Sequence, residues 1–264
     1  DNDTPAFDLQ RACGTGLSAL VMIANKIALG QIDCGIAGGS DTNSKISLEF
    51  SRRASDKFIG LSRSRSTGQM LGGLMKFRPS DFKPKIPGVT EPRTGLSMGE
   101  HCEQMAKKWR ISREEQDKLA LASHQNGSKA YEEGFYKESV VPYSGVDKDT
   151  VLRGDTSLEK LGKLRPAFDK KLGTLTAGNS SAMTDGASCI FLASEEYAKK
   201  HGLPVLAYFK DAQSSAIDFV SGMGLLMAPT IAVGQILKRQ ITLPVALRNR
   251  FGHLKIYDYA LQIG

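Results

Sequence analysis

The run at residues 17–28, LSALVMIANKIA, reads as a helix that is apolar on most of its faces. Such a helix is stable only where other elements cover it on more than one side. Short β-prone runs flank it, at residues 6–9 before it and at residues 32–37 after Gly30, which stops the helix. Strand, buried helix and strand in that order predict a βαβ unit with a right-handed crossover. A parallel sheet with both faces covered follows from it, so the expected fold class is α/β.

Between the first strand and the helix lies Gln10-Arg11-Ala12-Cys13-Gly14-Thr15-Gly16-Leu17-Ser18-Ala19-Leu20. Unpaired backbone N–H groups at a helix start favour a thiolate, which makes Cys13 a candidate nucleophile. The same pattern also describes a helix packed on a sheet with a buried, inert cysteine. Gly14 and Gly16 would let the backbone approach a ligand closely.

The 264 residues suffice for one large domain, or one domain with an inserted subdomain. With 41% apolar residues and 27 glycines, the chain has ordinary globular composition, which excludes collagen-like and disulfide-scaffold classes. The cysteines at 13, 34, 102 and 189 show no CxxC spacing, which suits a reducing compartment. Only four histidines accompany them, so no metal site is expected. No apolar run is long enough to span a bilayer and the start is unlike a signal peptide, so the expected location is cytoplasmic.

The net charge of +7 is unevenly spread: residues 41–90 hold ten basic and four acidic side chains. That excess suits nucleic acid, an anionic membrane or a small polyanion, or simply a solvated surface. Nucleic acid is the weakest of these, because no nucleic-acid module accompanies the charge and aromatics are sparse.

From residue 41 to 91 the texture turns to SR, GG, RPS and KPKIPG, which reads as a loop-rich insertion. Helical periodicity returns at 97–108, and Ser112 with Glu115 forms a capping box for a helix that ends at Gly134. A strand and turn are expected at 138–144, a turn-rich polar loop at 173–181, a strand at 188–193, a helix at 194–201 and a strand at 205–211. Cys34, Cys102 and Cys189 read as core packing, and His201 as a helix-end residue.

In this order the motifs ACGTGLSAL, IAGGS, LSMGEHCEQMAKKW, ISREEQD, GFYKESVVPY, KLRPAF and GTLTAGNSSAMTDGAS resemble a thiolase across residues 10–240. The style of the Cys13 motif and the long insertion resemble the fatty-acid-oxidation branch, the acetyl-CoA acyltransferases or 3-ketoacyl-CoA thiolases. The fold implied is a thiolase-like βαβ layered α/β fold with an inserted loop-rich subdomain, incomplete here. Its expected parts are an N-terminal segment at 1–40 carrying the nucleophile, a loop subdomain and helical insertion at 41–172, a return at 173–240 and an atypical tail at 241–264.

The resemblance implies an acyl-CoA C-acyltransferase. Cys13 would take the acyl group from a 3-ketoacyl-CoA, release acetyl-CoA, and pass the acyl group to free CoA, or run the reverse condensation. CoA and acyl-CoA are then substrates, and no cofactor is permanently bound. Ser181 matches the family serine that meets the pantetheine arm, and Arg153 a position near the CoA phosphates, which suits a guanidinium fork. Ser97 and Met98 stand where family members often present a histidine and a methionine, and the serine departs from that pattern. Asn179 reads instead as holding its own loop. A homodimer or tetramer is implied, with association to enoyl-CoA hydratase and 3-hydroxyacyl-CoA dehydrogenase subunits, and a membrane-peripheral surface on the basic insertion.

The family's later EAF, G-H-P and C-x-G motifs are not found in this sequence, and His253 lacks the G-H-P context. The alternative reading is therefore a noncatalytic CoA- or lipid-binding thiolase-like protein, or an inactive truncated thiolase.

Overall fold

A computed structural model describes residues 3–85, 88–222 and 224–242; the tail expected at 241–264, including His253, lies almost wholly outside them. The elements are α1 (Thr15–Ala28), β1 (Cys34–Asp41), α2 (Arg52–Ser62), α3 (Thr67–Leu74), α4 (Met98–Lys108), α5 (Arg113–Glu132), α6 (Leu158–Gly162), β2 (Gly186–Ala193), α7 (Glu195–Lys200) and α8 (Ala228–Thr242). Single 3₁₀ turns occupy Ala12–Gly14, Pro79–Phe82 and Leu225–Met227. The chain divides into two compact units, one of Asp1–Ser40, Glu91–Met183 and Ala187–Gly264, the other of Asp41–Thr90 with Thr184–Gly186. Residues 91–172, grouped with the insertion in the sequence reading, fall in the first unit.

In the first unit, local signals set the helix ends. Ser97, Ser112, Ser157 and Ser194 are N-caps whose hydroxyls accept backbone N–H groups of the first turn. Ser97 with Glu100 and Ser112 with Glu115 close reciprocal capping boxes. Gly134, at φ +75°, follows the end of α5 in the left-handed region that favours glycine.

The described sheet has two strands, β1 and β2. Ser194 N–H donates to Asp33 O at 2.8 Å beyond one end, while Gly38 lies against Ser188 and Cys189. Advancing along β1 thus means retreating along β2, so the pair is antiparallel. A Cβ on Gly38 would stand 2.7 Å from the Ser188 carbonyl oxygen, so this close approach needs glycine.

Residues 6–9 and 205–211, expected as strands, carry no regular structure, and 138–144 form a turn with a single Tyr143–Val146 bridge. A strand exists only through a neighbour that takes its N–H and C=O groups, and none of the described residues lies alongside 6–9 or 205–211 as a ladder partner. The mixed α/β character remains, with α1 forming over nearly the expected span. Its cover is thin: α1 contains no buried residue, and Leu17 is 59% exposed.

The second unit is more helical than the expected loop-rich insertion. α2 and α3 pack together, and Phe58 meets Phe50, Phe77 and Phe82 with ring centroids 4.9–6.4 Å apart. The buried Asp81 carboxylate accepts from Lys57 Nζ at 2.6 Å and from Arg78 N at 2.7 Å. That Lys57 bond, reinforced by the Arg78 N–H, holds the Asp81 carboxyl below its ordinary value. Asp185 accepts from the N–H groups of Asn43 and Ser44, tying Thr184–Gly186 to the insertion.

Candidate functional site

Cys13 sits in the 3₁₀ turn Ala12–Gly14, directly before Gly14, the N-cap of α1, and its side chain is exposed. The turn is strained: Ala12 has φ +45°, unusual for a residue with a Cβ. Side chains on both sides hold it. Gln10 Oε1 accepts from Ala12 N at 2.9 Å, while Thr15 Oγ1 accepts from Arg11 N at 2.9 Å and donates to Ala12 O at 2.8 Å. The Arg11 guanidinium donates to Ser18 Oγ at 3.3 Å and Ser214 Oγ at 3.1 Å, which fixes a cation two residues from the thiol. Over the glycines there is open space: a Cβ at Gly14 would meet only the Arg11 side chain, at 3.9 Å, and one at Gly16 nothing within 4 Å.

A second constellation lies on α4, α5 and the loop 173–181. The Glu103 carboxylate, 3% exposed, accepts from Thr174 N at 2.8 Å and Leu175 N at 3.0 Å, and from Thr174 Oγ1 at 3.1 Å. Gln116 Nε2 donates to the same Thr174 hydroxyl. Asn179 Oδ1 accepts from Thr176 N at 2.7 Å, and its Nδ2 donates to Thr174 O and to Asp117 Oδ1. Asn179 therefore holds its own loop, as the sequence reading had it. Asp117, 4% exposed, is paired on its other oxygen with Arg113 Nε at 2.8 Å. Buried carboxylates on two helices thus fasten one polar loop, each hydrogen-bonded as burial demands.

The sequence-derived site residues occupy separate places. Ser181 is exposed at the end of the fastened loop, and beside it Ser180 Oγ is buried without a hydrogen-bond partner among the described residues. Arg153 is exposed; its NH1 donates to Thr150 O and Leu152 O, and its N–H to Nδ1 of His124. Ser97 is the α4 cap, its hydroxyl committed to Glu100, and Met98 begins that helix 46% exposed. Among the described residues, no hydrogen bond or ion pair joins Cys13 to Ser97, Met98, Arg153 or Ser181.

The remaining cysteines divide. Cys34 and Cys102 are half-buried, and burial raises the Cys102 thiol above its ordinary value, with Glu103 adding to the shift. Cys189, expected in the core, is exposed, because β2 is open over most of its length. His101, 4% exposed, meets Thr94 Oγ1 at 2.8 Å, and His201 closes α7. No group of three or more His, Cys, Asp or Glu among the described residues is placed to hold a metal ion, and no described helix is long and apolar enough to cross a membrane.

Glu103, Gln116 and Asp117 are the residues that sequence reasoning missed. Asp117 had one signal, its i, i+4 spacing from Arg113. Glu103 is buried on α4, as His101 and Ala106 are, but in the sequence its charge reads as solvent-facing.

An exposed cysteine at a strained turn before a small-residue helix, within a mixed α/β frame, defines the class as a candidate thiol-nucleophile protein. The family model described as "Thiolase, N-terminal domain" matches residues 1–196. A 3-ketoacyl-CoA thiolase of Shewanella sp. (strain W3-18-1) is 42% identical over 242 residues, covering 89% of this chain and 55% of the relative. The crystal structure of human mitochondrial 3-ketoacyl-CoA thiolase in complex with CoA aligns at TM-score 0.59 and 28% identity, covering 77% of this chain and 48% of that one. The dimeric peroxisomal thiolase of Saccharomyces cerevisiae aligns at TM-score 0.61 and 28% identity, covering 88% and 53%. The chain belongs to the thiolase family. It spans about half the length of the curated relatives it matches.

Proposed function

We propose that this chain is the nucleophile-bearing N-terminal portion of a thiolase, and that these 264 residues do not complete acyl transfer by themselves. The observation that carries this reading is the match to the N-terminal domain over about half of each curated relative. The absence of the G-H-P and C-x-G motifs from this sequence supports it.

In the whole protein the reading is acyl transfer between 3-ketoacyl-CoA and CoA. The Cys13 thiolate attacks the keto carbon, the bond from that carbon to C2 breaks, and acetyl-CoA leaves once C2 takes a proton. The acyl thioester on Cys13 then transfers to the thiol of CoA, and Cys13 is regenerated. The exposed sulfur, the open space over Gly14 and Gly16 and the fixed Arg11 cation support this role. Ser181, at the end of the clamped loop, would meet the pantetheine arm. Arg153 would meet CoA phosphate oxygens, and Met98, with Ser97 beside it, would line the acyl pocket. A homodimer or tetramer, association with hydratase and dehydrogenase subunits, action in fatty-acid oxidation and a cytoplasmic location belong to the same proposal. The dimeric yeast thiolase supports the oligomer.

The test is acetyl-CoA release from a 3-ketoacyl-CoA plus CoA, with intact-mass analysis of the protein. The chain alone should show no sustained release; sustained release by it overturns the first part. The full-length polypeptide should turn over and carry an acyl adduct lost in Cys13→Ala, and absence of that adduct overturns the mechanism.

A further inference from the structure

Ser181 has no anchor of its own. Residues 180–183 make no hydrogen bond among the described residues; Ser181 is exposed, and the Ser180 hydroxyl beside it is buried without a partner. The place of the Ser181 hydroxyl is therefore set by the last fixed point before it, Asn179, two residues back.

Asn179 is fixed in turn from α5. Asp117 Oδ1 accepts from Asn179 Nδ2 at 2.9 Å and its Oδ2 from Arg113 Nε, while the same guanidinium donates to the carbonyls of Leu161 and Leu164. Those two leucines meet the loop through their side chains as well: a Cβ on Gly178 would stand 2.4 Å from Leu164 Cδ1 and 2.7 Å from Leu161 Cδ2. At the foot of the loop Glu103 Oε1 faces Thr174 N and Oε2 faces Leu175 N, and Gly173 is pressed so close that a Cβ would lie 3.0 Å from that carboxylate. Both oxygens of both carboxylates thus face donors. Exchange of either for its amide would set an NH₂ group against an N–H.

We propose that Glu103 and Asp117 are positioning residues for CoA, holding loop 173–181 so that the Ser181 hydroxyl is in place for the pantetheine arm. These roles rest on the acyl-transfer reading, in which Ser181 meets that arm. Buried charge is a weak source of stability, and two paired carboxylates on one polar loop supply a single geometry instead. A loop ordered beforehand loses no further freedom when the ligand arrives, which raises affinity. Neither carboxylate touches substrate; both act through Ser181.

The experiment is a double-mutant cycle on the full-length polypeptide, with the Kd for CoA measured by isothermal titration. Ser181→Ala should weaken CoA binding about fivefold, the size of one neutral hydrogen bond. Glu103→Gln and Asp117→Asn should each weaken it roughly three- to fivefold, and neither should weaken it further once Ser181→Ala is present. A carboxylate that served only the fold would act independently of Ser181, and the paired losses would multiply to about 15- to 25-fold. The two amide variants are isosteric with the native residues, far-ultraviolet dichroism checks their fold, and either one alone completes a cycle. Undiminished affinity in both amide variants, with Ser181→Ala weakened, overturns the positioning roles and leaves the Ser181 reading standing. Multiplying losses, or unfolding of both amide variants, assign the carboxylates to the fold and overturn the roles too. Undiminished affinity in Ser181→Ala overturns the Ser181 reading itself, and the positioning roles with it.

Discussion

Glu103 accepts the backbone N–H of Thr174 at 2.8 Å across 71 positions of sequence, and so joins helix α4 to the loop that ends at Ser181. Its buried carboxylate also takes the Leu175 N–H, which leaves both amides dependent on one side chain.

Glu103→Ala should therefore cost roughly 3 kcal/mol of stability, because buried N–H groups lose a charged acceptor. Glu103→Gln retains one oxygen acceptor and should cost less. Urea unfolding of the two variants checks the order, and equal stability of Glu103→Ala and wild type would rule out the clamp.

Lys107 and Asp169 provide a pH-dependent tie. The Lys107 ammonium, with the backbone N–H groups of Leu172 and Lys171, lowers the Asp169 carboxyl to about 2. A lowered folded-state pKa means that the contribution is complete above the unfolded value, about 4. It fades as pH falls from there through about 2. Asp169→Asn should thus destabilise at pH 7 and lose its effect near pH 2, with a modest size throughout because the pair is partly exposed. A stability difference that stays constant from pH 7 to 2 would contradict this.

Three of the four thiols should alkylate in a set order. Cys13 and Cys189 are exposed, whereas Cys102 is half-buried and its burial favours the neutral thiol. Limited treatment with iodoacetamide at neutral pH, followed by peptide mass analysis, should label Cys13 and Cys189 before Cys102. Early labelling of Cys102 would mean that α4 opens before the exposed thiols react.

Ser97 has a structural assignment as well as the proposed one in the acyl pocket. Its hydroxyl caps α4, so Ser97→Ala should cost about 1 kcal/mol by thermal or urea unfolding. Ser97→Asp, which keeps a capping oxygen, should recover most of that loss. If both substitutions are neutral, the cap contributes nothing.

The sequence by itself determined what is settled within a few residues. Ser112 and Glu115 close their box across a single turn, so the start of α5 is legible without any partner. The end of α5 at Gly134 and the placement of Cys13 before α1 are local in the same sense, and the ordered motifs carried the family. α3 was not legible, because TGQMLGGL is short, carries paired glycines and turns its apolar residues outward. Residues 205–211 have strand composition, yet pairing depends on a neighbour the local sequence does not specify. Tertiary structure decided the rest: that β1 runs against β2, that Cys189 is exposed, and that Glu103 and Asp117 turn inward. A carboxylate is stable inside only where distant N–H groups reach it, and Thr174, Leu175 and Asn179 reach these two only after the chain has folded back on α4 and α5.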